Sequence, residues 1–215
     1  MADAVFFDLD GTLADTAPDL AVALNQLRAE LGLPPCRFES LRPFVSQGTR
    51  GMLSAGLGIL PDHAEYAPLF DRFLSLYAGN LCVHTRLFTG MEVVLDALDE
   101  RGLPWGVVTN KAERFARPII TALGLDGRCA CVVGGDTLTR RKPFPDPLLH
   151  AADLARVAPT RSLYVGDDPR DITAGRAAGM RTVGVRYGYL GSNPAIDTWG
   201  ADALISHPEE LLAHL

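Results

Sequence analysis

The sequence predicts an α/β fold: a parallel sheet wrapped by helices, with an all-helical unit inserted after the first strand. Three observations carry this. Short apolar runs alternate with helical patterns over most of the 215-residue chain, as parallel strands joined by crossover helices require. The runs hold few charges, which suits strands buried on both faces. From residue 16 to about 83 the alternation stops and only helical patterns remain.

The first strand is expected at Val5–Asp8. Thr16 then stands as a helix N-cap with Asp19 three residues on, and Leu20, Leu24, Leu27 and Leu31 form one stripe. Gly32-Leu33-Pro34-Pro35 ends that helix. Two more helical stretches follow, about Thr49–Leu57 and His63–Ala78. The alternation resumes with helix Met91–Arg101, whose Val94, Leu95 and Leu98 share a face, and strand Trp105–Thr109. Helix Phe115–Leu123, strand Cys131–Val133 and helix Pro147–Ala155 behind a capping Asp146 come next. Strand Leu163–Gly166, helix Pro169–Ala178 and strand Thr182–Val185 complete the pattern, with Ala203–Ile205 a short additional candidate. Gly102, Gly124 and Gly179 stand just past helix ends, where a left-handed residue terminates helices. The expected organisation is a core of 1–15 and 84–215 and an inserted helical domain of 16–83.

Composition narrows the function. Hydrophobic residues make up 47% of the chain, enough for a sizeable core. The formal net charge of −6 argues against nucleic acid as a partner. It leaves an anionic substrate open, because a metal and a few local cations can dominate a site. Cys129-Ala-Cys131 has no second cysteine pair or finger-spaced histidine near it, and is read as two same-face residues of an apolar strand. There is no basic N-terminal region and no apolar run of membrane-spanning length, so a cytoplasmic protein without a membrane partner is expected.

The chemistry gathers at four strand ends, where ligands bind in open α/β sheets. Asp8-Leu9-Asp10-Gly11-Thr12 follows the run Ala4-Val5-Phe6-Phe7. In an extended chain Asp8 and Asp10 share a side, and such neighbouring like charges call for a hard cation. An ordinary Asp-Gly turn explains Gly11 but not the paired carboxylates. Thr109-Asn110-Lys111 offers a hydroxyl, an amide and turn N–H groups suited to phosphate oxygens. Lys142 is a compact cation stiffened by Pro143 and Pro145. In Gly166-Asp167-Asp168-Pro169-Arg170-Asp171, Asp168 caps the helix and Asp171 takes the third position, which leaves Asp167 as a candidate metal ligand.

Together, these four motifs resemble those of the haloacid dehalogenase-like (HAD) hydrolase superfamily, in the right order and from end to end of the chain. The helical insertion is similar to the α-helical cap of its phosphoglycolate phosphatase group. Leu87-Phe88-Thr89-Gly90-Met91, Trp105–Lys111, Arg186-Tyr187-Gly188-Tyr189 and Trp199-Gly200-Ala201-Asp202 further resemble the N-acetylmuramic acid 6-phosphate phosphatases of cell-wall recycling. The resemblance implies a Rossmannoid core with strand order 5-4-1-2-3.

It also implies a magnesium-dependent phosphatase of small phosphate monoesters. Asp8 would be the nucleophile that forms an aspartyl-phosphate, and Asp10 the general acid and base. Mg2+ would be held by Asp8, the Asp10 backbone carbonyl and Asp167. Many members carry a small residue where Asp168 stands, so the supporting carboxylate is either Asp168 or Asp171. Thr109, Asn110 and Lys142 would hold the phosphoryl oxygens, and Gln47 or Arg50 of the cap would approach the substrate. The expected partner is a small phosphorylated metabolite, either N-acetylmuramic acid 6-phosphate or phosphoglycolate, handled by a monomer or homodimer. A phosphomutase resembling β-phosphoglucomutase shares both aspartates, and a non-catalytic binding module shares only the fold.

Overall fold

Ala4-Val5-Phe6-Phe7 is buried throughout and forms the first strand of the computed structural model, which describes residues 2–191 and 193–215. In chain order the strands are β1 (Ala4–Phe7), β2 (Ala14–Asp15), β3 (Arg86–Leu87), β4 (Trp105–Val108), β5 (Val132–Val133), β6 (Ser162–Gly166), β7 (Arg181–Val185) and β8 (Ala203–Ile205). The helices are α1 (Ala17–Glu30), α2 (Phe38–Leu41), α3 (Gly48–Leu57), α4 (Tyr66–Ala78), α5 (Met91–Glu100), α6 (Glu113–Ala122), α7 (Asp146–Leu154) and α8 (Pro169–Ala177).

Six strands form one parallel sheet in the order β5-β4-β1-β6-β7-β8. The order 5-4-1-2-3 appears in it as β7-β6-β1-β4-β5, and β8 adds an edge strand beyond that pattern. The chain leaves β1 to one side for β4 and later to the other for β6. This reversal opens a crevice at the carboxyl ends of β1, β4 and β6.

Period-2 alternation sorts the strand side chains onto two faces. Val5, Phe7, Val107, Leu163 and Val165 pack against Val94, Leu95 and Leu98 of α5 and Ile119 and Ile120 of α6. Phe6, Val108 and Tyr164 pack against Leu148 and Ala151 of α7 and Ala174 of α8. Sheet and helices thus enclose apolar layers on both sides, as an all-parallel sheet must.

Helices α1 to α4 lie between β2 and β3 and have their own apolar centre of Leu20, Leu24, Leu27, Met52, Leu53, Phe73 and Tyr77. Phe115 and Tyr189 of the core join that centre, so the helical unit is seated on the sheet domain. Leu31 falls outside the expected stripe at 46% exposure, because α1 ends at Glu30. Thr16 occupies the N-cap position but makes no side-chain cap; its hydroxyl turns to Asp10 instead. Asp19 likewise leaves the helix end. It is buried and accepts hydrogen bonds from the backbone N–H groups of His84 (2.9 Å) and Thr85 (2.9 Å) and from the Thr85 hydroxyl (2.7 Å).

Asp19 therefore clasps the outgoing chain to the returning one. The pairing of β2 with β3 (Ala14 opposite Leu87, Asp15 opposite Arg86) does the same through the backbone. Asp146 is not a cap either: Pro145 holds that position, and Asp146 accepts from Arg140 at 2.9 Å. Cys129 and Cys131 precede the short β5 rather than sharing a face of it. No helix among the described residues is long and apolar enough to cross a membrane.

Replacing Asp19 with Ala strands three donors, two of them backbone, beside the junction. Losing hydrogen bonds to a buried carboxylate should cost about 2–4 kcal/mol, a fall in melting temperature of about 4–16 °C. A thermal melt of Asp19→Ala that coincides with the parent's would remove this clasp from the account.

Candidate active site

Asp8 and Asp167 directly follow β1 and β6, so the sheet delivers both carboxylates to the crevice. Asp171 arrives from the first turn of α8. The three are buried, and one carboxylate oxygen of each lies within 4.8 Å of the others. A hard divalent cation favours such an oxygen set. Asp167 accepts from the Tyr189 N–H (2.6 Å) and the Thr12 hydroxyl (3.3 Å). Gly11 makes the approach possible: at φ +86° it turns the chain, and a Cβ there would lie 2.1 Å from an Asp167 oxygen.

Lys142 is the one ammonium in this cluster among the described residues. Its side chain is 2% exposed. Nζ meets Asp171 (2.7 Å), Asp8 (3.0 Å), the Tyr164 hydroxyl (2.7 Å) and the Val108 carbonyl (3.0 Å). Burial works against its charge, but Asp171 and Asp8 outweigh it and leave the pKa raised. The carboxylates show the opposite imbalance. Burial, then the charges of Asp8 and Asp171, push Asp167 well above the usual carboxylate range. Burial pushes Asp171 up to about 7, with Lys142 partly opposing and Asp8 adding to it. Three carboxylates on one ammonium are short of positive charge, and their donors are all oxygen. That donor set fits Mg2+.

Asp168 is engaged elsewhere. It accepts from the Arg170 N–H (2.9 Å) and pairs with the Arg170 guanidinium at 2.7 Å. Arg170 outweighs the opposing effect of burial and holds the Asp168 carboxyl below its ordinary pKa. Of the two candidate supporting carboxylates, only Asp171 faces the cluster.

Asp10 also stands apart from it. The chain turns after Phe7, so Asp8 and Asp10 do not continue as same-face strand neighbours, and each has its own cation. Asp10 accepts from Lys111 Nζ at 2.8 Å and from the Thr16 hydroxyl. Its side chain is 16% exposed and that of Lys111 8%, so the pair is nearly enclosed.

Thr109 is buried at the end of β4, and its hydroxyl accepts from the Lys111 N–H at 3.1 Å. Asn110 donates to the Lys142 carbonyl at 3.0 Å, which ties two motifs together, while its Oδ1 has no partner. Gln47 and Arg50 are exposed. Their neighbour Ser46 reaches the core instead, donating to the Tyr189 carbonyl at 2.9 Å and accepting at its own carbonyl from Arg170 at 2.6 Å. Arg42 reinforces this seat by donating to the Tyr187 carbonyl at 3.2 Å. A groove of about 520 Å³ between α4 and α6, lined by Asp71, Arg114 and Phe115 among others, is separate from the clustered carboxylates.

Sequence reasoning gave no site role to Lys111, Thr16, Ser46, Tyr164 or Tyr189. Lys111 stood inside a motif already noticed, and only its pairing was hidden. Tyr164 read as one more strand hydrophobe. Its hydroxyl, which bridges Lys142 and the Val108 carbonyl, has no local signature.

Residues 5–185 match the family model described as haloacid dehalogenase-like hydrolase. A "Phosphoglycolate phosphatase" of Xanthomonas campestris pv. campestris is 48% identical over 209 residues, which cover 97% of this chain and 94% of that protein. An "N-acetylmuramic acid 6-phosphate phosphatase" of Pseudomonas aeruginosa is 46% identical over 211 residues, covering 97% and 92%. Among solved structures, a predicted phosphoglycolate phosphatase from Haemophilus somnus 129pt superposes with a TM-score of 0.87 at 29% identity, covering 99% of this chain and 97% of that one.

Lys142→Met removes the cluster's ammonium while keeping most of its volume. Breaking a buried ion pair from one side should cost about 3–5 kcal/mol, read as a lower denaturation midpoint. A midpoint within about 1 kcal/mol of the parent's would show that the carboxylates do not depend on Lys142.

Proposed function

The chain belongs to the haloacid dehalogenase-like hydrolase family, and from that premise we propose that it is a phosphatase of small phosphate monoesters that works through Asp8. One observation carries this reading. Three buried carboxylates meet at the sheet's crevice, two of them, Asp8 and Asp171, on one ammonium, while a fourth, on Asp10, stands beside them on a separate cation. A non-catalytic module has no use for such concentrated buried charge.

Asp8, Asp167 and the Asp10 backbone carbonyl would hold Mg2+, with Asp171 supporting them. When bound, the cation screens Asp8 from the anionic substrate and neutralises charge on the transferring group. The chain's own residues carry the rest. The Asp8 carboxylate attacks phosphorus, and the ester P–O bond breaks as the acyl-phosphate bond forms. Asp10 gives its proton to the departing alkoxide. It then takes one from the water that attacks the aspartyl-phosphate, and inorganic phosphate leaves.

Lys142, Thr109 and Asn110 hold the phosphoryl oxygens. Lys142 also keeps Asp8 oriented through its 3.0 Å contact. The cap segment around Ser46 closes the crevice, so entry and exit require it to lift about the β2–β3 junction. Gln47 and Arg50, next to Ser46, would then meet the distal part of the substrate.

The candidate substrates are phosphoglycolate and N-acetylmuramic acid 6-phosphate, the compounds in the relatives' names. The free cysteines Cys36, Cys82, Cys129 and Cys131 suit a reducing cytoplasm.

Phosphate release should proceed from a monoester with no bisphosphate added; a strict requirement for a bisphosphate activator would identify a phosphomutase instead. Asp8→Asn should lower turnover by about 10⁴-fold or more and abolish labelling of the protein by a phosphate-labelled substrate. Undiminished turnover in that variant would exclude Asp8 as the nucleophile. Chelation with EDTA should abolish activity and excess Mg2+ restore it, while activity surviving exhaustive chelation would rule out the metal's role.

A further inference from the structure

Tyr77 is a buried cap residue whose polar end the cap's own packing does not explain. It lies on the apolar face of α4, 2% exposed, with its ring 5.6 Å from that of Phe115. Phenylalanine would fill the same space. The hydroxyl is close enough to Lys111 to feel its charge and lean towards its ammonium, yet no hydrogen bond of full geometry reaches it among the described residues. A buried hydroxyl without a well-formed hydrogen bond is destabilising, so its retention needs a reason.

Lys111 shows the complementary gap. Its ammonium lies 4.8 Å above the centre of the Tyr77 ring and has one oxygen partner among the described residues, Asp10 at 2.8 Å. An ammonium carries three donors, so even with one turned towards the Tyr77 hydroxyl at least one is left without an oxygen. A core cation and a cap hydroxyl thus offer unspent donors beside the carboxylate assigned to protonate the leaving group.

We propose that Lys111 and Tyr77 together receive an acceptor oxygen of the departing alcohol, borne on the carbon next to the ester carbon. The inference rests on the phosphatase reading above. The location follows from Asp10. If the leaving oxygen and Lys111 both bond to that carboxylate, they stand about 4–5 Å apart. A second hydrogen bond from Lys111 then meets an oxygen one carbon beyond the ester carbon. A carboxylate or a ring ether at that position satisfies the pair; a methyl group leaves both donors stranded. The substrate class is therefore a phosphorylated hydroxymethyl group next to an oxygen-bearing carbon. The carboxylate of phosphoglycolate and the ring oxygen of a sugar 6-phosphate both supply this chemistry. Because Tyr77 belongs to the cap and Lys111 to the core, the contact forms only when the cap is down.

The test uses the full chain with Mg2+ and measures kcat/KM for phosphoglycolate, N-acetylmuramic acid 6-phosphate and ethyl phosphate. Ethyl phosphate keeps the ester but lacks the acceptor oxygen. The parent should prefer at least one oxygen-bearing substrate, and which one it prefers identifies the source of the oxygen. Tyr77→Phe, which preserves packing, should reduce that preference about 10-fold, mainly through KM. Lys111→Met should lower rates on all three, because it also frees Asp10, and should reduce the preference further. Preference ratios unchanged in Tyr77→Phe, or a parent that does not discriminate against ethyl phosphate, would overturn the proposal. A parent that releases phosphate from no monoester would instead remove the phosphatase reading itself.

Discussion

Lys142 brings one positive charge to the place where β1, β4 and α8 converge, and much of the site's order follows from it. Oxygens of Asp8, Asp167 and Asp171 lie within 4.8 Å of one another. At an effective dielectric of about 20, each such ionised pair repels by at least roughly 3 kcal/mol. A single ammonium that touches Asp8, Asp171, the Tyr164 hydroxyl and the Val108 carbonyl offsets part of that repulsion and orients the groups it touches. The remaining charge deficit and the all-oxygen donor set suit the cluster to a hard cation. The attraction that completes the site is therefore already stored in the folded chain.

A second cation organises the other half of the chemistry. Lys111 draws the Asp10 carboxylate away from the cluster, although only Leu9 separates it from Asp8 in sequence. Two carboxylates on one short loop thus have distinct surroundings, because each faces a different ammonium. The same loop leads into the cap, where Thr16 donates to Asp10 and Asp19 clasps the returning chain at Thr85. The Asp10–Lys111 pair thus adjoins the β2–β3 junction that joins the helical unit to the sheet domain. Ser46 and Arg42 close the far side by hydrogen bonding to the Tyr187–Tyr189 segment, whose Tyr189 N–H also holds Asp167. Cap position and carboxylate placement are mechanically linked through that segment.

The parallel sheet, its helices and the cap insertion were legible in the chain because hydrophobic periodicity is a local property. Strand runs such as Trp105-Gly106-Val107-Val108 and helix stops such as Gly102 need only their neighbours to be recognised. Asp8 and Asp167 were singled out for a related reason: each directly follows a strand, a place where topology gathers ligands; Asp171 stood open against Asp168, and Lys142 was marked only by its flanking prolines. Thr16 and Asp19 looked like capping residues by the same local logic. That logic failed because partners outside the helix, nearby Asp10 for one and distant Thr85 for the other, outcompeted the helix end for their oxygens.

Sequence by itself determined the fold class and marked the candidate site residues, since apolar patterning and motif order are written along the chain. Tertiary structure alone decided how the charges are shared. It gave Lys142 to Asp8 and Asp171, Lys111 to Asp10, and Arg170 to Asp168; it also placed Ser46, rather than the exposed Gln47, against the core. The physical reason is range. Helix and strand preferences are settled within a few residues, whereas ion pairs and buried hydroxyls are settled by whichever partner folding brings within about 3 Å, however far away it lies in sequence.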